Sequence, residues 1–286
     1  MIAYPLDVDG VLTRVLEAGM GDRAVLLIHG LGARADRWTC TLESLATDGF
    51  HAYALDLPGH GFAAKGSEFE YTVPSYTRFV AKFADALGHS TINLVGTSMG
   101  GHIAATMACA RPETVRKLAL VGSLGLVPMG VESRERIAIA IQKADPKTVE
   151  AKFRGLVFDP AQITSEWVME ESRINTSPGA QASFRALAAY LRNAIDEDVV
   201  GEQLGHLSSS VPTLLVWGAD DNYVPLDVGK RAHDLLPKSR FAIISRCGHA
   251  PYLEQPTIFS QVLTAFLGDL PASSHDGLTY VSATSV

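Results

Sequence analysis

The sequence predicts an α/β protein, a mostly parallel sheet flanked by helices and interrupted once by an all-helical insertion. Three observations predict it. Short continuous apolar runs recur at 24–28, 51–55, 92–95 and 118–121, the pattern of strands buried on both faces. Helical stretches separate these runs, and strand–helix alternation is the signature of a parallel sheet. After Gly122 the alternation stops until Val211, and the stretch between reads almost wholly as helix.

The elements follow in order. Residues 2–8 and 11–18 are apolar-rich runs around Asp9-Gly10, a dipeptide suited to a tight hairpin turn. Residues 76–87 carry Phe79, Val80, Phe83 and Leu87 at helical spacing, and a second helix over 99–110 stops before Pro112. In the insertion Phe184, Leu187 and Leu191 share a helical face, while Pro128, Pro146, Pro160 and Pro178 punctuate four pieces. Strand-like runs return at 211–217 and 241–245. The expected organisation is a core of 1–123 and 208–271, a helical lid of 124–207, and a flexible Ser/Thr/Ala-rich tail of 272–286.

Composition narrows the function classes. Hydrophobic residues make up 47% of the 286 and charged residues 19%, the profile of a soluble globular protein. Net charge is −7 with no basic run, so nucleic acid is not an expected partner. Asp7 and Asp9 stand where a secretory leader needs an apolar stretch, and no run suits a membrane span. Three cysteines, Cys40, Cys109 and Cys247, show no CxxC spacing, so neither a disulfide framework nor a zinc site is suggested. The expectation is a cytoplasmic protein acting on a small molecule, without metal or cofactor.

Chemistry concentrates in a few loops. Gly96-Thr97-Ser98-Met99-Gly100 follows one predicted strand and opens a helix, the context of a nucleophile elbow, whose strained turn demands small residues on either side of the serine. A serine hydroxyl needs a base to remove its proton. Of nine histidines, His249 in Cys247-Gly248-His249-Ala250-Pro251 lies just past the last predicted strand of the core, at the edge where functional loops of such sheets gather. His29 and His60 read as turn or pocket-lining residues, and His102 as a packing or surface one. The histidine needs a carboxylate to fix its tautomer. Asp220 and Asp221 follow the run 211–217, and the residues alone do not choose between them.

From His29-Gly30-Leu31-Gly32 through Asp56-Leu57-Pro58-Gly59-His60-Gly61 and the elbow to Trp217-Gly218 and Gly248-His249, the chain resembles the α/β-hydrolase superfamily. The resemblance implies the α/β-hydrolase fold, with Ser98 as nucleophile, His249 as base and Asp221 as acid, four residues before Pro225. It places the oxyanion donors at the backbone N–H groups of Leu31 and Met99. It also implies a lid over the serine, with Met129, Phe153, Trp167 and Phe184 as candidate walls, and Arg173 and Arg192 as candidate partners for a substrate carboxylate.

Within that superfamily the elbow and helical lid are similar to those of hydrolases that cleave carbon–carbon bonds in aromatic ring-fission products. Those enzymes have asparagine before the nucleophile and tryptophan after the histidine, where this chain has Thr97 and Ala250. Hydrolysis of a small ester or lactone is therefore the leading expectation, with carbon–carbon cleavage of a vinylogous diketo acid as the alternative. A small-molecule receptor on the same fold is the reading of a different class.

Overall fold

A computed structural model describes residues 1–207 and 209–281. Its first element pair shows how local chemistry sets register. Asp9 and Gly10 both take positive φ, 56° and 82°, as a two-residue hairpin turn requires. The turn pairs β1 (Ile2–Val8) with β2 (Val11–Ala18), Val8 opposite Val11.

The remaining strands are β3 (Arg23–Ile28), β4 (Phe50–Leu55), β5 (Ile92–Thr97), β6 (Val115–Val121), β7 (Thr213–Gly218), β8 (Arg240–Ile244) and β9 (Leu278–Val281). They form one sheet in the order β1-β2-β4-β3-β5-β6-β7-β8-β9. Pairing is parallel from β4 through β8 and antiparallel at both margins. Strands β5 and β7 are buried along their whole length, which is why they lack polar alternation.

Helices cover both faces. On one lie α2 (Val73–Ala86), α3 (Met99–Ala110) and, later in the chain, α9 (Leu226–Leu235); on the other lie α1 (Thr39–Thr47), α10 (Pro251–Glu254) and α11 (Pro256–Leu267). The predicted helix 76–87 begins earlier, at Val73, because the Thr72 hydroxyl caps Ser75 N–H and Pro74 occupies the first turn.

Among the described residues between β6 and β7 there are five α-helices rather than the four pieces expected: α4 (Val131–Ile141), α5 (Pro146–Leu156), α6 (Ser165–Asn175), α7 (Ala180–Asn193) and α8 (Gly201–Leu207). Ala138 and Ile141 of α4 and Phe184, Leu187 and Leu191 of α7 belong to the same apolar cluster as α2 and α3. Val149 and Phe153 of α5 and Val168 of α6 form a small cluster of their own.

The expected loose tail needs correction. Leu278–Val281 forms β9, antiparallel to β8 with Phe241 opposite Val281; residues 282–286 of that expected tail lie outside the described region. No described helix is long and apolar enough to cross a membrane.

Candidate active site

The parallel strands end along one edge, and four of them deliver the chemistry there. Ser98 is the single residue between β5 and α3, at φ 55° and ψ −121°. Such a conformation costs a non-glycine residue roughly 1–3 kcal/mol and persists only where the surroundings enforce it. Here Ser98 N–H donates to Val121 O at 3.0 Å, and Leu124 N–H donates to Ser98 O at 3.1 Å. The flanking glycines are sterically obligatory: an ideal Cβ on Gly96 would fall 2.2 Å from Gly100 O, and one on Gly100 2.3 Å from Ile28 O.

His249 follows β8 in a loop held by the buried Glu254 carboxylate, which accepts Gly248 N–H at 3.0 Å, Ala250 N–H at 3.2 Å and Phe158 N–H at 2.6 Å. His249 N–H donates to Leu156 O at 2.7 Å, tying the loop to the end of α5. Its Nδ1 lies 2.7 Å from Asp221 Oδ2, and both side chains are buried. With Nδ1–H donating to the carboxylate, Nε2 is the nitrogen left to exchange a proton.

Asp221 is fixed in turn. Its Oδ1 accepts the N–H groups of Tyr223 and Val224, both at 2.8 Å. Asp220 is exposed. The end of β6, the other place an acid could occupy, holds Gly122, where an ideal Cβ would sit 3.0 Å from His249 Nδ1 and 3.1 Å from Asp221 Oδ2. Glycine there makes room for the pair.

A cavity of about 130 Å³ opens beside these groups, lined by Ser98, His249, Gly30 and Leu31 from the sheet edge and by residues of α4, α5 and α6. That is close to the roughly 150 Å³ that accepts a benzene-sized group. Leu31 lines it in the loop after β3, whose Gly30 approaches so closely that a Cβ would lie 2.9 Å from Ser98 Cβ. Met99 begins α3, so its N–H is one of the helix-terminal amides without an intrahelical acceptor. Helix N-termini favour negative charge.

Of the four candidate wall residues and two candidate carboxylate partners, only Phe153 lines the cavity. Phe184 is buried in the main cluster with its ring 5.5 Å from His60, Met129 packs half-buried against that cluster, and Trp167 lies against the small cluster of α5 and α6. Arg173 is exposed, and Arg192 pairs with Glu135 at 2.8 Å. The expectation for Met129, Trp167, Arg173, Phe184 and Arg192 is thus corrected: Met129 lies in the loop before α4, and for the other four size and charge do not tell which helix face turns inward.

His29 and His60 also stand behind the cavity rather than in it. His29 Nδ1–H donates to Gly30 O at 2.8 Å and Nε2 accepts Leu57 N–H at 3.0 Å. Burial lowers the pKa of His29 to about 4 and of His60 to about 3. His102 is buried, with Nε2–H donating to Asp198 O at 2.7 Å.

Four charged or amide residues that the sequence reading missed do line the cavity: Arg37, Lys152, Glu171 and Asn175. Glu171 Oε2 receives Arg34 at 2.6 Å and Arg37 at 2.7 Å, while Asn175 Nδ2 donates to Gly32 O at 3.1 Å. These contacts join α6 to the Leu31 loop across more than a hundred residues of chain, so no local pattern announces them. Among the described residues no cluster of three or more His, Cys, Asp or Glu is placed to hold a metal ion.

A family profile described as the alpha/beta hydrolase fold matches residues 23–256. The chain belongs to the α/β-hydrolase family. Among its family relatives, a 2-hydroxy-6-oxononadienedioate/2-hydroxy-6-oxononatrienedioate hydrolase of Paraburkholderia phymatum is 29% identical over 266 residues, 88% of this chain and 89% of that one. Of solved α/β-hydrolase structures, a meta-cleavage product hydrolase from Pseudomonas fluorescens IP01 is similar at TM-score 0.81 and 25% identity, covering 93% of this chain and 97% of that one. A bacterial membrane phospholipase A is similar at TM-score 0.78 and 28% identity, covering 94% and 86%.

Proposed function

We propose that this α/β-hydrolase cleaves the carbon–carbon bond beside the ketone of a small vinylogous diketo acid through an acyl-enzyme on Ser98. The observation that carries the reading is the cavity shared by Ser98 and the Asp221-paired His249, beside Leu31 and the first amide of α3. The relatives named for 2-hydroxy-6-oxo dienedioates support carbon–carbon cleavage over the ester reading that led from sequence alone. Thr97 and Ala250 are the residues that favour the ester reading, which the similarity to a phospholipase also supports.

In the first step Ser98 Oγ attacks the ketone carbon, its proton passes to His249 Nε2, and the oxyanion is received by the N–H groups of Leu31 and Met99. Asp221 steadies the imidazolium. Collapse breaks the carbon–carbon bond; its electron pair enters the conjugated keto chain, and the proton on His249 is delivered to that chain. Water then attacks the ester on Ser98, giving its proton to His249, which returns it to Ser98 Oγ as the carboxylic acid leaves. The sum is one water consumed, one carbon–carbon bond replaced by a C–H and a carboxyl group. The inserted helices act as a lid that keeps bulk water from the intermediate.

The test offers wild type and Ser98→Ala a 2-hydroxy-6-oxo dienoic acid, followed by loss of its dienol absorbance, alongside aryl esters of increasing acyl length and lactones. The expected result is turnover of the diketo acid, reduced roughly 10,000-fold or more in the folded variant. Turnover of esters or lactones with no diketo-acid cleavage overturns the proposal in favour of an ester hydrolase, and ligand-induced stabilisation without any turnover favours a receptor.

A further inference from the structure

Helix α5 presents Val149, Lys152, Phe153 and Leu156 to the cavity, the spacing of one helical face. Three of these side chains are apolar and one is an amine. The other charged groups of the wall are already matched: Arg37 with Glu171 at 2.7 Å, Glu171 also with Arg34, and His249 with Asp221. Among the described residues no carboxylate lies within 4.0 Å of Lys152 Nζ, whose hydrogen bond goes to the carbonyl of Lys143 at 2.6 Å. A half-buried lysine whose ammonium meets only a backbone carbonyl lacks a counter-ion, and an incoming anion supplies one.

We propose that Lys152 is the specificity residue that holds a carboxylate of the substrate, on the lid wall of the cavity that also contains Ser98 and His249. The proposal deepens the diketo-acid reading and rests on it for the identity of the substrate, but not for the existence of the anion site. The cavity lining fits the assignment. One cavity of about 130 Å³ has Ser98, His249 and Lys152 together in its lining, so an acid bound at the serine has the lysine on its wall. Arg173 and Arg192, the arginines expected to do this, point elsewhere: one is exposed and the other is paired with Glu135.

The charge at this site is pH-dependent. Burial pushes the Lys152 ammonium down to about 8, against the pull of Glu171 on α6 and Asp145 at the start of α5. Arg37 and His249 line the same cavity, and Tyr223 O–H donates to the Lys152 carbonyl at 3.1 Å. A depressed lysine is charged below its pKa and neutral above it, so its hold on an anion weakens as pH rises through about 8.

A purely structural lysine, spreading its stem over apolar side chains and capping Lys143 O, would behave differently. Lys152→Met and Lys152→Arg are compared with wild type on a diketo acid and its methyl ester at the same carboxyl. The methionine variant is expected to raise KM for the acid about 10-fold to 100-fold with kcat within a few-fold, to leave the ester unchanged, and to be rescued by arginine. The wild-type preference for acid over ester fades above about pH 8 and is flat in Lys152→Met. Equal effects on acid and ester overturn the proposal. Calorimetric binding of adipate and of its uncharged diamide to Ser98→Ala, with and without Lys152→Met, separates this idea from the reaction itself. A split between the two ligands that vanishes in the methionine variant supports the anion site even if no carbon–carbon bond is cleaved, whereas identical affinities sink it.

Discussion

The two adjacent aspartates show how much one loop conformation decides. Asp221 uses both oxygens, Oδ1 on the Tyr223 and Val224 amides and Oδ2 on His249, whereas Asp220 is exposed. In Asp221→Asn the amide nitrogen replaces one acceptor, either losing the turn or presenting a donor to Nδ1 and favouring the wrong imidazole tautomer. We expect kcat/KM for Asp221→Asn to drop about 10,000-fold, and Asp220→Asn to stay within a few-fold of wild type. Comparable losses in steady-state assays of the two variants would remove Asp221 from the role. The elbow serine and the histidine were legible because glycine spacing and strand ends leave local marks. The choice of aspartate was not legible from residue physics, because it depends on which side chain the two backbone amides capture.

Elements carry the next level of information, and helical periodicity proves to be an incomplete guide. It groups Phe184, Leu187 and Leu191 on one face of α7, and the structure turns that face into the main core rather than toward substrate. The cavity-facing side of α6 instead presents Glu171 and Asn175, which brace the loop carrying Leu31 through Arg34, Arg37 and Gly32 O. Removing the Glu171 charge leaves the largely buried Arg37 guanidinium without its carboxylate, while Arg34 keeps Asp36 at 2.8 Å and Glu170 at 2.6 Å. Breaking a buried ion pair in this way costs about 3–5 kcal/mol. Glu171→Gln should therefore shift the urea midpoint strongly downward. Activity per folded molecule should also fall, since a loose Leu31 loop misplaces one of the two proposed oxyanion donors, a contribution worth roughly 3–4 kcal/mol when lost entirely. A variant with unchanged midpoint and unchanged kcat would mean that α6 does not support that loop.

At the scale of the whole molecule, alternation of strand and helix anticipated the parallel centre of the sheet, while both antiparallel margins depended on smaller signals. The Asp9-Gly10 turn was such a signal and was read. Asp276-Gly277 before Leu278-Thr279-Tyr280-Val281 is another, hidden by the Ser- and Ala-rich sequence around it, and it yields the edge strand β9. The same assembly encloses His29 and His60 completely, with rings 5.3 Å apart behind the cavity. Each must stay neutral: protonation of His29 Nε2 would cancel its acceptor role toward Leu57 N–H. Folding lowers His29 from 6.5 to about 4 and His60 from 6.5 to about 3, so between those limits the unfolded chain binds more protons than the native one. Stability rises with pH wherever that holds. It is therefore fully present above about pH 6.5 and is lost on acidification toward pH 4 and below, by on the order of 3 kcal/mol for His29 and 5 kcal/mol for His60. Urea titrations at pH 7.5, 6.5, 6 and 5.5 should show the midpoint falling steadily at constant slope, above the range in which most carboxylates protonate. A flat midpoint over that range would show that both rings take up protons in the native state as readily as in the unfolded chain, and the packing of the His29 and His60 loops behind the cavity would have to be redrawn.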